Sequence, residues 1–227
     1  MGCGKTMINI IYEDNHLLVV EKPINMPSQQ DNTFDKDLLS YCKQYLKEKY
    51  NKPGDVYLAL LHRLDRPVGG IMVFAKTSKA AARMSTQIQQ HKMHKKYYAV
   101  LTSKPKDSDT LVDYLVKNMK TNMVKTTSAD QGKKSILHYQ LIDTKEKLSL
   151  VSIDLETGRS HQIRVQFSSR NLPLFGDQRY NHNAKIGQQI ALFAYQLSFE
   201  HPISKEVMTF SITPKNYPFN LFDIKQD

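Results

Sequence analysis

Short apolar runs of strand length, separated by polar turn-forming residues, dominate this sequence and most constrain its fold. Nine such runs lie at residues 8–12, 16–20, 56–61, 71–75, 97–101, 135–143, 148–156, 190–199 and 207–212. Only three segments, 34–50, 77–88 and 160–170, have the spacing or flanking residues of a helix. Because strands outnumber helices and seldom alternate with them one for one, we expect an α+β fold with a largely antiparallel central sheet flanked by a few helices.

The 227 residues show no internal repeat, low-complexity tract or long linker. A hydrophobic content of 40% and a charged content of 24% are typical of a soluble globular chain. We therefore expect one domain over residues 1–227, with residues 1–7 as a disordered or non-native tail. No apolar run approaches the roughly 20 residues of a membrane-spanning helix. Two cysteines, Cys3 and Cys42, argue for a reducing compartment, so we expect a cytoplasmic protein.

Basic residues exceed acidic residues by 32 to 22, which gives a formal net charge of +10. Such a surplus favours a polyanionic partner, with RNA or DNA ahead of an anionic membrane surface. It indicates the kind of partner and leaves the reaction open.

A charged loop at residues 61–70 is the first candidate site. Its sequence, Leu-His-Arg-Leu-Asp-Arg-Pro-Val-Gly-Gly, joins the apolar runs 56–61 and 71–75, both of which we expect to be buried strands. Here Asp65 lies between Arg63 and Arg66, and charges between buried strands are costly unless they are paired or used. The alternative is a charged surface turn that Pro67 and the two glycines create.

A second constellation, Glu-Thr-Gly-Arg-Ser-His-Gln-Ile-Arg, occupies residues 156–164, where a helix is expected to begin. Backbone N–H groups at that helix start, together with Arg159 and Ser160, would bind an anion. Helical spacing places His161 and Arg164 on one face. Taken alone, the segment fits a surface helix with ordinary basic residues better than it fits a binding site.

Two tyrosines after a basic run form the third candidate site. Tyr97 and Tyr98 follow His94-Lys95-Lys96, a composition suited to stacking a base while holding its phosphates. Strand alternation predicts that one tyrosine faces the core and the other faces out; the alternative is ordinary strand packing. The polar residues 102–135 that follow predict a hairpin or a mobile arm. His91 and His94 have no acidic or cysteine residue near them in the sequence, so a metal site there is not supported.

The order and content of the motifs along nearly the whole chain resemble those of the RluA family of pseudouridine synthases. The catalytic domain alone is expected, without a preceding S4-type RNA-binding domain. The matching motifs are Glu21-Lys22-Pro23, His62-Arg63-Leu64-Asp65, Lys95-Lys96-Tyr97-Tyr98-Ala99-Val100, residues 155–164, Gly176-Asp177-x-x-Tyr180, residues 191–194 and His201-Pro202. The departures are Val68-Gly69-Gly70 for Thr-Ser-Gly, Asn25 for a glycine, and Gln166 and Phe193 for histidines.

The resemblance implies a pseudouridine synthase fold and the isomerisation of specific uridines in ribosomal or transfer RNA, without a cofactor or a metal. It implies that Asp65 acts at the ribose, as nucleophile at C1′ or base at C2′, that Tyr97 stacks on the base, and that Arg164 pairs with Asp65. The substrate-binding set that it suggests is Arg63, Ile163, Lys22, His62, Lys95, Arg159, His161 and Gln162. We expect a monomer that binds RNA and no membrane.

Two other functional classes stay open at this point. One is a catalytically silent RNA-binding protein of the same fold. The other is an unrelated aspartate-dependent hydrolase or transferase, which would need a second acid or base near Asp65. The sequence offers no such neighbour.

Overall fold

The structure is a computed structural model that describes residues 8–224. Its residues form two compact units, one with residues up to Met93 and Ser198–Phe210, the other with His94–Leu197 and the residues from Ser211 onwards. The expectation about residues 1–7 lies outside the described residues, and the expectation of one domain stays a prediction. No helix in the described part of the chain is long and apolar enough to cross a membrane.

The first unit is built on a small antiparallel sheet with two helices. Its elements are β1 (Asn9–Glu13), β2 (Leu17–Lys22), α1 (Leu38–Lys49), β3 (Ala59–Leu60), β4 (Gly69–Ala75) and α2 (Ser78–Gln89). Strand β2 pairs with β1 on one side and with β4 on the other. All seven residues of β4 are buried, which confirms the strand expected at residues 71–75.

The strand expected at residues 56–61 is mostly wrong. Only Ala59 and Leu60 pair with β4, opposite Ala75 and Phe74. Val56 and Leu58 are buried without belonging to a strand. An apolar run indicates that a segment is buried, but a strand also needs a neighbouring strand for its backbone hydrogen bonds. Strand β3 pairs only with the last residues of β4.

Both helices begin at side-chain caps that the sequence contains. The Asp37 carboxylate accepts the Ser40 N–H at 3.0 Å, so α1 begins at Leu38 and not at residue 34. The Thr77 hydroxyl accepts the Ala80 N–H at 3.2 Å, as expected for α2. Helix α2 buries Gln87, whose amide bonds to both backbone groups of Glu200.

A buried carboxylate ties β1 to α1 and to the end of β4. Glu13, with 6% of its side chain exposed, binds the ammonium groups of Lys49 and Lys76 at 2.7 Å each. It also accepts hydrogen bonds from the hydroxyls of Tyr45 at 2.9 Å and Tyr50 at 2.7 Å. Burial alone raises the pKa of Glu13, but these four hydrogen bonds outweigh burial and lower the pKa to about 2.

The second unit contains most of the remaining strands. Its elements are β5 (His94–Leu101), β6 (Ser108–Lys117), β7 (Val124–Thr127), β8 (Lys133–Lys145), β9 (Leu148–Leu155) and α3 (Gln162–Ser168), followed by a 3-10 helix at Phe219–Leu221. The last two strands, β10 (Leu192–Glu200) and β11 (Val207–Ser211), contribute residues to both units.

Strands β5, β9, β8, β6 and β7 lie side by side in that order, and each pairing is antiparallel. Residues 102–135 therefore contain a hairpin, β6–β7, which confirms the first of the two alternatives for this segment. Together with the first unit, these pairings confirm the α+β class with a largely antiparallel sheet.

Both faces of the second sheet are covered around β5. On one face, Phe167 of α3 is fully buried and its ring lies 5.2 Å from that of Tyr139. On the other face, Tyr98 stacks on Tyr195 with ring centroids 3.8 Å apart. Tyr97 is 7% exposed and Tyr98 is 8% exposed, so the expectation that one of them faces out is wrong.

Candidate active site

Asp65 lies on the loop between β3 and β4, and its surroundings hold the backbone in place. The Val68 N–H donates to the Asp65 carbonyl at 2.9 Å and closes a turn directly before β4. Asp65 itself is half-buried. The candidate carboxylate is therefore carried by a short turn attached to a fully buried strand.

Ser28 forms hydrogen bonds with the backbone of Leu64, the residue before Asp65. Its hydroxyl donates to the Leu64 carbonyl at 2.9 Å and accepts the Leu64 N–H at 3.2 Å. Both residues are buried, with 5% and 7% exposed. Sequence reasoning missed Ser28, because no local pattern relates it to a loop 36 residues away.

Lys22 fastens the residue after Asp65. Its side chain is fully buried, and its ammonium donates to the carbonyls of Pro23 at 3.0 Å, Met26 at 2.6 Å and Arg66 at 3.0 Å. Lys22 therefore has no exposed surface and supports the backbone with its donors, and its expected contact with substrate stays a prediction. Burial lowers the pKa of Lys22 to about 7, against an opposing effect of the nearby Asp65 carboxylate.

The other polar side chains of the loop differ in how they are used. His62 accepts the Val73 N–H of β4 at its Nε2, at 3.2 Å. Arg66 forms ion pairs with Asp31 and Asp35 on the loop before α1. Arg63 is exposed. Of the two substrate-binding candidates on this loop, Arg63 is thus the more accessible and His62 is partly occupied by the strand.

Arg164 is buried in α3 and has a partner that the sequence analysis did not assign. Its Nε and Nη2 donate to the two carboxylate oxygens of Asp177 at 2.8 and 2.6 Å. The exposed fractions of the two side chains are 7% and 1%, so the interpretation of α3 as a surface helix is wrong. The available signal was the Gly176-Asp177-x-x-Tyr180 motif, in which Asp177 had no role.

Tyr180 links this ion pair to the β6–β7 hairpin. The Arg164 guanidinium lies 5.2 Å from the centre of the Tyr180 ring. The Tyr180 hydroxyl accepts the Val124 N–H of β7 at 2.9 Å and lies 2.8 Å from Nδ1 of His161. His161 and Arg164 therefore meet the same tyrosine, in agreement with their expected common face.

Gln162 has a structural role, and its expected contact with substrate stays a prediction. It is 2% exposed, and its Oε1 accepts from the Thr157 hydroxyl at 2.9 Å and the Arg159 N–H at 3.0 Å. Its own N–H donates to the Arg159 carbonyl, so these two N–H groups do not form the expected anion site. Arg159 is exposed, and its Nε donates to the Lys134 carbonyl at 3.3 Å.

Ile163 and Lys95 complete the set of candidates in the second unit. Ile163 is 4% exposed, and Lys95 is half-buried on β5. Burial lowers the pKa of the Lys95 ammonium. Asp65 belongs to the first unit and Tyr97 and Arg164 belong to the second, so their joint action stays a prediction.

Two departures from the family pattern fit their places. Asn25 has a φ of 61°, a left-handed conformation that asparagine adopts more readily than most residues. Gln166 is fully buried, and its amide nitrogen donates to the Leu111 carbonyl at 3.1 Å and the Asp113 carboxylate at 2.8 Å. Within residues 8–224, no group of three or more His, Cys, Asp and Glu side chains could hold a metal ion.

The family model described as RNA pseudouridylate synthase matches residues 16–169, a span that contains Asp65, Tyr97 and Arg164. Ribosomal large subunit pseudouridine synthase D of Zymomonas mobilis is 34% identical over 221 residues, which cover 89% of this chain and 68% of that protein. An uncharacterized RNA pseudouridine synthase of Aquifex aeolicus is 31% identical over 222 residues, which cover 90% and 69%.

Solved structures with low sequence identity share the fold. Human RNA pseudouridylate synthase domain containing 4 has a TM-score of 0.78 at 20% identity, covering 94% of this chain and 91% of that chain. Human RNA pseudouridylate synthase domain containing 1 has a TM-score of 0.72 at 19% identity, covering 96% and 88%. These likenesses confirm the pseudouridine synthase fold, and the family match extends over more than half of the chain. The chain therefore belongs to the RNA pseudouridylate synthase family, in its RluA branch, and is an isomerase that converts uridine in RNA to pseudouridine.

Proposed function

We propose that this enzyme modifies specific uridines of ribosomal RNA, with transfer RNA as the second candidate, and that Asp65 is its catalytic residue. The observation that carries the proposal is a pair of contacts on either side of Asp65: the Ser28 hydroxyl bonds to the backbone of Leu64, and the Lys22 ammonium donates to the Arg66 carbonyl. Asp65 lies between these two anchors, so its backbone is positioned before substrate binds. The curated relatives named ribosomal large subunit pseudouridine synthase D support ribosomal RNA as the substrate.

The reaction leaves the composition of the RNA unchanged. The N1–C1′ bond breaks, the uracil rotates, and C5 forms the new bond to C1′, while C5 loses a proton and N1 gains one. In this scheme Asp65 acts at the ribose, as nucleophile at C1′ or as base at C2′. Neither step requires a redox partner, so we propose that the enzyme works without a cofactor or metal.

The target base must first leave its stack, which costs a few kcal/mol. We propose that exposed Arg63 fills the vacated stack and that Tyr97 contacts the uracil, with Ile163 beside it. Arg159, His161 and His62 are further candidates for RNA contacts. Arg164 is proposed to act with Asp65, and its geometry is already set by Asp177.

We also propose that the protein acts as a monomer in the cytoplasm and binds no membrane. Its scarcity of cysteine and its basic character support a reducing compartment that contains RNA.

Mapping of pseudouridines in total RNA from cells with and without the gene tests the proposed substrate. Sites that disappear without the gene should return with the wild-type gene and with Asp55→Asn, a matched change of an exposed carboxylate in the same unit. They should not return with Asp65→Asn, which preserves side-chain shape and removes the charge. Turnover by purified Asp65→Asn protein would refute the assignment of Asp65, and RNA binding without turnover by the wild type would favour a silent RNA-binding protein.

A further inference from the structure

Lys95 is a half-buried lysine whose ammonium has no counter-charge in the described part of the chain. Among residues 8–224, no hydrogen bond or ion pair holds it, and burial is the cause of its lowered pKa. Lys22 and Lys76, two lysines with little exposed side chain, are both satisfied. Lys22 donates to three carbonyls, and Lys76 donates to the Glu13 carboxylate and the Asp14 carbonyl. A desolvated ammonium without an anion is unfavourable, and a bound anion would offset that cost.

The position of Lys95 relates it to the candidate base-binding tyrosine. Side chains alternate along a strand, so Lys95 and Tyr97 lie on the same face of β5, two residues apart. On the neighbouring loop, a Cβ at Gly158 would lie 3.0 Å from the Lys95 Nζ. The ammonium therefore lies against the loop of residues 156–161, where Gly158 provides the space.

The adjacent lysine has different surroundings. Lys96 lies on the opposite face of β5, and its cross-strand neighbour on β9 is the carboxylate residue Asp154. On the loop beside Lys95, the Glu156 carboxylate pairs with His138 at 3.3 Å, and the exposed Arg159 adds a further positive charge. The environment of Lys95 is thus suited to an anion from outside the chain.

We propose that Lys95 binds a phosphate of the RNA, that of the nucleotide whose base contacts Tyr97. The inference rests on the proposed function, because RNA supplies the anion. Phosphates are the anionic groups of RNA, and a lysine binds them as a point charge. The phosphate replaces the missing counter-charge, while Tyr97 takes the base of the same nucleotide.

The test compares Lys95→Gln with Lys96→Gln, two neutralisations one residue apart on opposite faces of the strand. The probe is a synthetic RNA stem-loop with one uridine in its loop, and binding is measured by fluorescence anisotropy over a range of salt concentrations. Lys95→Gln should bind about tenfold more weakly, as expected for one lost charge-assisted contact, and its log K against log salt should lose about 0.7 in slope. Lys96→Gln should match the wild type, and Lys95→Arg should recover most of the affinity.

The phosphate is then identified by placing a neutral methylphosphonate at single positions around the uridine. At one position, the methylphosphonate should weaken RNA binding by the wild type and cause no further loss of binding by Lys95→Gln. Because the ammonium has no partner among the residues that the structure describes, thermal unfolding of Lys95→Gln should occur at or above the wild-type temperature. The proposal is overturned if both glutamine variants lose affinity equally, if the slope is unchanged, or if Lys95→Gln responds to every methylphosphonate as the wild type does.

Failure of the proposed function gives a different result from failure of this inference. A wild-type enzyme that forms no pseudouridine in the mapping experiment contradicts the proposed function whatever Lys95 does. A wild-type enzyme that forms pseudouridine while Lys95→Gln binds RNA normally contradicts the inference alone.

Discussion

Replacing Lys22 with methionine tests whether a buried charge fastens the catalytic loop. The ammonium is fully buried on three carbonyl oxygens, and burial lowers its pKa from 10.5 to about 7. The folded protein therefore releases this proton more readily than the unfolded chain. At and below pH 7 the charged form costs the folded state up to about 5 kcal/mol, from 3.5 pKa units at about 1.4 kcal/mol each.

The pH dependence of this cost has a definite sign. Between pH 7 and 10.5 the unfolded chain binds more protons at residue 22 than the folded protein, so the contribution of Lys22 to stability rises with pH. From pH 7 to pH 9 the rise is about 2 kcal/mol. Methionine removes the charge and leaves the carbonyls of Pro23, Met26 and Arg66 without their donor, at about 1–3 kcal/mol for each unsatisfied group. At pH 7 these opposing effects are similar in size, so the slope with pH is the decisive quantity.

The measurement is urea unfolding of the wild type and Lys22→Met at pH 7, 8 and 9, with the exposed Lys79→Met as the matched control. The free energy of unfolding of the wild type, minus that of Lys22→Met, should increase by about 2 kcal/mol over this range. Release of the Arg66 carbonyl should also reduce kcat by about 100-fold, because a shift of about 1 Å at a catalytic group has that effect. A difference that does not change with pH would refute the proposed titration of Lys22.

Three further predictions follow from other contacts. Asp177→Asn should lower the free energy of unfolding by about 3–5 kcal/mol in urea, because it removes the negative charge of a buried carboxylate that binds the buried Arg164 guanidinium; a loss below about 1 kcal/mol would contradict this. Arg164→Lys keeps the charge but not the forked geometry, so its turnover should lie between those of the wild type and Arg164→Met, and wild-type turnover would exclude a role for the fork. The folded state lowers the pKa of Glu13 from 4.5 to about 2, so the ionised carboxylate contributes about 3 kcal/mol of stability above pH 4.5, and this contribution is lost as the pH falls to 2. In urea unfolding, the difference in free energy between the wild type and Glu13→Gln should therefore shrink over that pH range; a constant difference would contradict this.

Local patterns were sufficient for most helices and strands. The continuous apolar run of β4, the four-residue spacing of α1 and the threonine cap of α2 each report a structure made by neighbouring residues. The expectations that failed share one cause: they depended on which distant segments pack against a strand, and local sequence does not show this. Residues 56–61 have the composition of a strand but meet only the end of β4, and the expectation of one outward tyrosine failed because both faces of β5 are covered.

The sequence by itself determined the family, the fold class and the loop that carries Asp65, because ordered motifs and strand periodicity are written along the chain. Only the tertiary structure decided how the candidate site is held together. Lys22 donates to a carbonyl 44 residues away, and Arg164 binds Asp177. A buried charge takes the partner that lies nearest in space, since leaving it unpaired in the interior is costly. That neighbour is set by how strands and loops pack, and spacing along the chain does not reveal it.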